Sequence, residues 1–313
     1  MILTTVGVFV DVAVITVSPI ALAIARRAKL SKTAILLAMI GGGKAGNIMS
    51  PNPNAIAASD AFGVPLTSVM AAGIIPAIFE LAVTYLIAKK LVSKGAMISE
   101  GEANSHTKLP LFITAMIASL ITIILLALRP LFDINIDPMV ALPAGGIIGA
   151  IAMKKTRKIN EYAISGLNKM SGVAIMLLGT GTLAGIIANS SLKDVIINAL
   201  TSSGLPAYLL APVSGIFMSA ATASTTAGTA VASGVFGSTI LGLGISALAG
   251  AAMIHAGATV LDHLPHGSFF HATAGSVNMD MKERLKLMPY ESLIGLTLAV
   301  ISTLIFGVFK LLG

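Results

Sequence analysis

The chain has 313 residues, 56% hydrophobic and 11% charged, with a mean hydropathy of +0.94. A soluble domain carries about 25% charged residues, so a water-soluble globular fold is excluded and an all-α polytopic membrane protein is expected; the apolar runs do not alternate as the strands of an outer-membrane barrel do. The net charge of +7 is gathered in short clusters, which argues against nucleic acid as a partner, and the lack of cysteine excludes disulfides and thiolate chemistry.

The first 25 residues have no basic leader and no clear cleavage site, so they are not read as a signal peptide. Basic clusters follow at 26–32, 89–108, 154–158 and 282–286. The positive-inside rule makes these cytoplasmic, in a multi-pass protein of a bacterial inner membrane. Apolar spans predict crossings at 69–88, 111–128, 138–153, 172–189 and 289–309. Residues 129–137 and 192–203 then fall outside. The threading closes only if 6–25 and 213–237 enter and leave on one side, as re-entrant hairpins. Such backbone is tolerated only under protein or beside a water-filled cavity.

"NIMSPNPN" at 47–54 cannot continue a helix. Pro51 and Pro53 remove donors and push the preceding residues toward extended backbone. A transmembrane helix broken there offers free N–H groups to an anion and free carbonyls to a cation. Asn47, Ser50, Asn52 and Asn54 add uncharged hydrogen bonds suited to hydroxyls and carboxylates. Three residues earlier, Lys44 could pair with a substrate carboxylate, or could simply neutralise Asp11 or Asp262. The stretch "SAATASTTAG" at 219–228 supplies Ser219, Thr222, Ser224, Thr225 and Thr226, which suit either a hairpin tip at a ligand or close helix packing.

Charges inside a membrane are functional candidates by default. Here they are Asp11, Lys44, Glu80 and Asp262. Asp262, with His263 and His266, lies in "HAGATVLDHLPHGSFFH" at 255–271. Asp and His in such a place can take up a proton on one side and release it on the other. The alternatives are a structural role for the broken backbone, or metal binding, although the histidine spacing is no standard zinc pattern and no metal is expected.

"AMIGGGKAGNIMSPNPNAI" at 38–56 aligns with "AMIHAGATVLDHLPHGSFF" at 252–270, 214 residues on, and each leads into a final apolar span. The two spans would run in opposite directions, the pattern of an inverted-topology repeat with broken transmembrane helices. Residues 1–88 would be the C-terminal part of a first repeat, 89–108 a cytoplasmic linker, and 109–313 a second repeat. Residues 109–214 have no partner in the first half, which leads one to expect that an N-terminal portion of similar length is missing.

"GGGKAGNIMSPNPNAIAASDAFG", "LLGTGTLAGIIANSSLKDVI" and "HAGATVLDHLPHGSFFHATAGSV" resemble the gluconate permease (GntP) family of proton symporters, within the ion transporter superfamily. The resemblance runs through the whole chain. It implies proton-coupled uptake of a sugar acid such as gluconate, or of glycerate, with no cofactor and with H⁺ or Na⁺ as coupling ion. It also implies a scaffold and a mobile transport unit, in a homodimer. Where the family has a histidine in a "PPHPGP"-like break, this chain has Asn52 in "SPNPNA", which puts gluconate itself in doubt. Three rivals remain at this stage. One is a cation-coupled citrate or dicarboxylate transporter, another a truncated permease without transport, and the third an intramembrane hydrolase, although no enzyme is expected.

Overall fold

The computed structural model describes residues 1–98, 136–191 and 206–311, with scattered positions within 114–134 and 194–204. The expected crossing at 111–128, outer loop at 129–137 and outer segment at 192–203 lie largely outside the described residues, as does the linker beyond residue 98. The described chain is helical, and its only β pairing is an isolated bridge between Ser31 and Met97.

Two compact units can be distinguished, Met1–Asn104 with Thr180–Gly313, and Ser105–Gly179. In the first, a short α1 (Ile2–Thr5) leads into α2 (Val10–Arg27) and α3 (Lys32–Asn47). The expected hairpin within 6–25 is therefore not found in that form, because the turn falls at 6–9 and 10–27 is one continuous helix. Ser31 starts α3 by accepting from Ala34 N at 3.1 Å, a cap worth about 1 kcal/mol. After the break come α4 (Pro53–Phe62), α5 (Leu66–Ala72) and α6 (Ile74–Leu91). Asn52 caps α4 through Ala55 N at 2.9 Å, with Pro53 at the first helical position, where its missing donor costs nothing.

In the second unit, Asp137 caps α7 (Pro138–Ala152), and a basic turn leads to the start of α8 (Ile159–Ala188). Within this unit the Thr122 hydroxyl donates to the carbonyl of Ala118 at 3.0 Å.

The first unit resumes with α9 (Leu210–Thr222) and α10 (Thr225–Gly242), joined by a two-residue turn at Ala223, which is in the left-handed conformation, and Ser224. This is a helical hairpin where one was expected, at 213–237. Then follow α11 (Ala247–Gly257), a ten-residue break, α12 (Ser268–Ser276) and α13 (Met281–Thr303), which ends in a π-helical turn. Ser246 and Asp280 cap α11 and α13.

Four helix starts share one spacing. Val10 and Thr225, Lys32 and Ala247, Pro53 and Ser268, and Leu66 and Met281 are each 215 residues apart. That is one residue more than the offset of the aligned motifs, which run from α3 through the first break into α4 and from α11 through the second break, of different length, into α12. The packing is reciprocal too: α4 lies against α10, and α2 lies against α12. Gly73, between α5 and α6, presses on the Ile48 carbonyl, and Gly295 of α13 presses on the Thr259 carbonyl, with no room for a Cβ in either place. Each long helix thus crosses one break at backbone distance.

Direction follows from the hydrogen bonds at one end. Ser31 N donates to Val92 O at 2.8 Å, so α3 begins where α6 ends. Ala96 N donates to Glu283 Oε1 at 3.0 Å, so α13 also begins there. Hence α6 and α13 are antiparallel.

Leu66–Leu91 and Met281–Val308 are long and apolar enough to cross a membrane. Their burial runs opposite to that of a soluble helix. On α6, Ile74, Ile75, Ile78, Phe79 and Leu86 are exposed, while Glu80 and Thr84 are buried. On α13, Leu293, Leu296 and Val300 are exposed, while Arg284 and Glu291 are fully buried. Continuous apolar outer faces of this extent require a lipid solvent.

The cluster 282–286 is a correction to the loop reading of the sequence. It is the first turn and a half of α13, and Arg284 is not on the surface. Its guanidinium binds Glu291 through both oxygens, donates to Phe270 O and Thr273 Oγ1, and lies 4.6 Å from the Phe270 ring centre. A planar fork can meet both Glu291 oxygens and two further acceptors at once, which a single ammonium could not.

Candidate functional site

The site forms where the two breaks and the α9–α10 tip meet. Lys44, 1% exposed, lies in the last turn of α3. Its ammonium donates to Asp262 Oδ1 at 2.5 Å and to Thr259 O at 2.6 Å. The Thr225 hydroxyl donates to Asp262 Oδ2 at 2.6 Å. His263 Nδ1 is 3.3 Å from Asp262 Oδ1, and its Nε2 is 3.1 Å from both Met288 O and Ser292 Oγ. One carboxylate therefore ties together the first break, the hairpin tip, the second break and α13.

A second polar group holds the first break. Asn52 Nδ2 lies 2.6 Å from Asn47 O, 2.7 Å from Asn47 Oδ1 and 2.7 Å from Ser50 Oγ. Its carbonyl oxygen meanwhile caps α4. The side chain thus replaces backbone pairing that the prolines remove. Asn54 faces the hairpin, and the Thr226 hydroxyl donates to its Oδ1 at 2.5 Å. Ser224 caps α10 through Ala227 N at 3.3 Å. Ser219 and Thr222 turn their hydroxyls to carbonyls of their own helix, Ile216 O at 3.0 Å and Met218 O at 2.8 Å.

Of the candidates from sequence, Lys44, Thr225, Asp262 and His263 are in one network. Asn47, Ser50 and Asn52 form another, and Asn54 pairs with Thr226. Two candidates stand apart. His266 is exposed and outside the network. Asp11 is in the first turn of α2, where its Oδ1 accepts from Val12 N at 2.8 Å. At the helix spacing of 215, Asn47 corresponds to Asp262, and Lys44 to Thr259. Sequence reasoning missed Thr259 and Ser292, which present a carbonyl and a hydroxyl and carry no motif signal. Among the described residues no group of His, Cys, Asp and Glu is arranged to hold a metal.

A buried charge pair between two broken helices, inside a bundle with apolar outer faces, is the interior of a membrane transport protein. Residues 1–148 match the family described as GntP family permease, and residues 114–204 match one described as Na+-H+ antiporter family. A Haemophilus influenzae protein called "Uncharacterized transporter" is 71% identical over 312 residues, covering 99% of this chain and 74% of its own length. No solved structure matches. The chain belongs to the GntP permease family and is a transporter.

Proposed function

We propose that the chain carries out proton-coupled symport of a small hydroxylated carboxylate, a gluconate-like sugar acid or glycerate, across the bacterial inner membrane as a multi-pass protein. The observation that carries this reading is the Lys44–Asp262 pair at 2.5 Å. While Asp262 is ionised it holds the ammonium, and an incoming carboxylate has no free cation to meet. A proton on Asp262 dissolves the pair and releases Lys44 to the substrate carboxylate. Proton and substrate then bind together, because each removes the charge that the other leaves uncompensated. The amides and hydroxyls of Asn47, Ser50, Asn52, Asn54 and Thr226 supply hydrogen bonds to the substrate hydroxyls. Ser219, Thr222 and Ser224 shape the tip, and His263 orients Asp262.

Common helix spacing, reciprocal packing and antiparallel α6 and α13 support an inverted repeat around this site, with 89–108 as linker and the second repeat from 109. The α9–α10 hairpin with its polar tip supports a re-entrant loop. A homodimer and the lipid bilayer are the partners this architecture asks for, and no cofactor enters the mechanism.

The test is uptake of labelled gluconate by proteoliposomes under an imposed proton gradient, with glycerate and citrate as competitors. Accumulation that a protonophore collapses is expected. Accumulation driven by Na⁺ without a proton gradient would favour the second reading, a cation-coupled citrate or dicarboxylate transporter, for which the antiporter-family match over 114–204 is the supporting observation.

A further inference from the structure

Glu80 is fully buried in α6 and belongs to neither network above. Its Oε1 accepts from the Thr84 hydroxyl at 2.6 Å, and its Oε2 has no partner. A buried carboxylate oxygen left unpaired inside a membrane span is costly and calls for a use.

Helix geometry supplies one. The Thr84 side chain sits over Gly41 of α3, in a notch that a Cβ would fill. Since α3 and α6 are antiparallel, moving forward along α3 means moving backward along α6. Lys44 is three residues past that contact on α3, and Glu80 is four residues past it on α6. At 1.5 Å per residue they are about 4.5 and 6 Å along in the same direction, on facing sides. Lys44 and Glu80 are thus level. On its far side, the Lys44 ammonium is held by Asp262.

We propose that Glu80 is the alternate carboxylate partner of Lys44, so that the ammonium rests on Glu80 in the interval between its release by Asp262 and the arrival of a substrate carboxylate. The purpose of this exchange rests on the symport reading, although the level placement of Lys44 and Glu80 does not. Glu80 is a positioning residue. It gives Lys44 a second resting place while Asp262 is neutral and no substrate carboxylate is bound, and it prevents the cation from standing unpaired in the interior.

The test is a double-variant cycle on the full chain in detergent, with unfolding followed by far-UV circular dichroism. Glu80→Gln keeps an oxygen for Thr84, and Asp262→Asn keeps the shape of its site. Each single variant should lower Tm modestly, because Lys44 still has one carboxylate. The double variant leaves a buried lysine with none, and should lose on the order of 10 °C beyond the sum of the singles. Repeated with Lys44→Met, the excess should vanish. A double variant that fails to fold, while the triple variant folds, reports the same coupling. Additive losses in the presence of Lys44, or an excess that survives Lys44→Met, would overturn the proposal. Gluconate counterflow by the unaltered chain tests transport separately, so that either idea can fail alone.

Discussion

Lys44→Met removes the cation at the centre of the site. The aliphatic part of the side chain is replaced at similar volume, and two bonds are lost, those to Asp262 at 2.5 Å and to Thr259 O at 2.6 Å. Asp262 keeps the Thr225 hydroxyl and the more distant His263, and its charge is otherwise uncompensated. Breaking a buried ion pair from one side costs roughly 3–5 kcal/mol. For a chain of this size, at about 2 °C per kcal/mol, Tm should fall by roughly 6–10 °C. With no tryptophan and no cysteine in the chain, neither indole fluorescence nor a thiol dye can report unfolding. Far-UV circular dichroism in detergent is the suitable assay. Lys44→Met combined with Asp262→Asn should recover most of the loss, since both charges are gone. A single variant as stable as the wild type, or a double variant no better than the single, would refute the reasoning. Uptake should be lost in both, because neither can pair a substrate carboxylate.

The remaining predictions concern the packing around the site. Thr226→Val should remove the bond to Asn54, cost about 1–3 kcal/mol because it leaves a buried amide oxygen unsatisfied, and raise KM for the substrate more than it lowers kcat. Gly295→Ala forces α13 away from the Thr259 carbonyl, and should cost roughly 1–3 kcal/mol in thermal unfolding with a fall in transport rate. Arg284→Lys should fail to replace Arg284, because an ammonium cannot bind both Glu291 oxygens, Phe270 O and Thr273 together. Lys282→Ala and Lys286→Ala, two exposed positions beside it, should stay within about 0.5 kcal/mol of wild type.

Much of the site was legible in the sequence for local reasons. Prolines in "SPNPN" fix the break, and Ser31, Asn52, Ser224, Ser246 and Asp280 mark the helix starts, because the open N–H groups there need an oxygen acceptor. The run of hydroxyls at 222–226 marked the hairpin tip. Lys44 and Asp262 were legible as charges in apolar sequence, and their pairing had been weighed as the structural alternative to substrate binding. One misreading arises where charge stands as a sign of location. The cluster at 282–286 looked like a loop, yet Arg284, Leu287, Glu291, Ile294 and Leu298 share a buried face at helical spacing. That period was readable, and it would have put Arg284 inside. Asp11, flanked by apolar residues in the sequence, lies in the first turn of α2, where a carboxylate suits the helix dipole. The level register of Glu80 with Lys44 was not legible, since it depends on which residue of α6 meets Gly41.

The contact between Lys44 and Thr259 joins two residues 215 apart, the spacing that four pairs of helix starts share. Unlike the packing of α4 on α10 and of α2 on α12, this bond is not reciprocal: the lysine supplies the donor, and Thr259 offers its carbonyl. Exchanging the conformations of the two halves would therefore not return the same molecule. Any two forms related by such an exchange would differ in free energy even with no substrate and no gradient present, because the Lys44 bond to the Thr259 carbonyl has no mirror image.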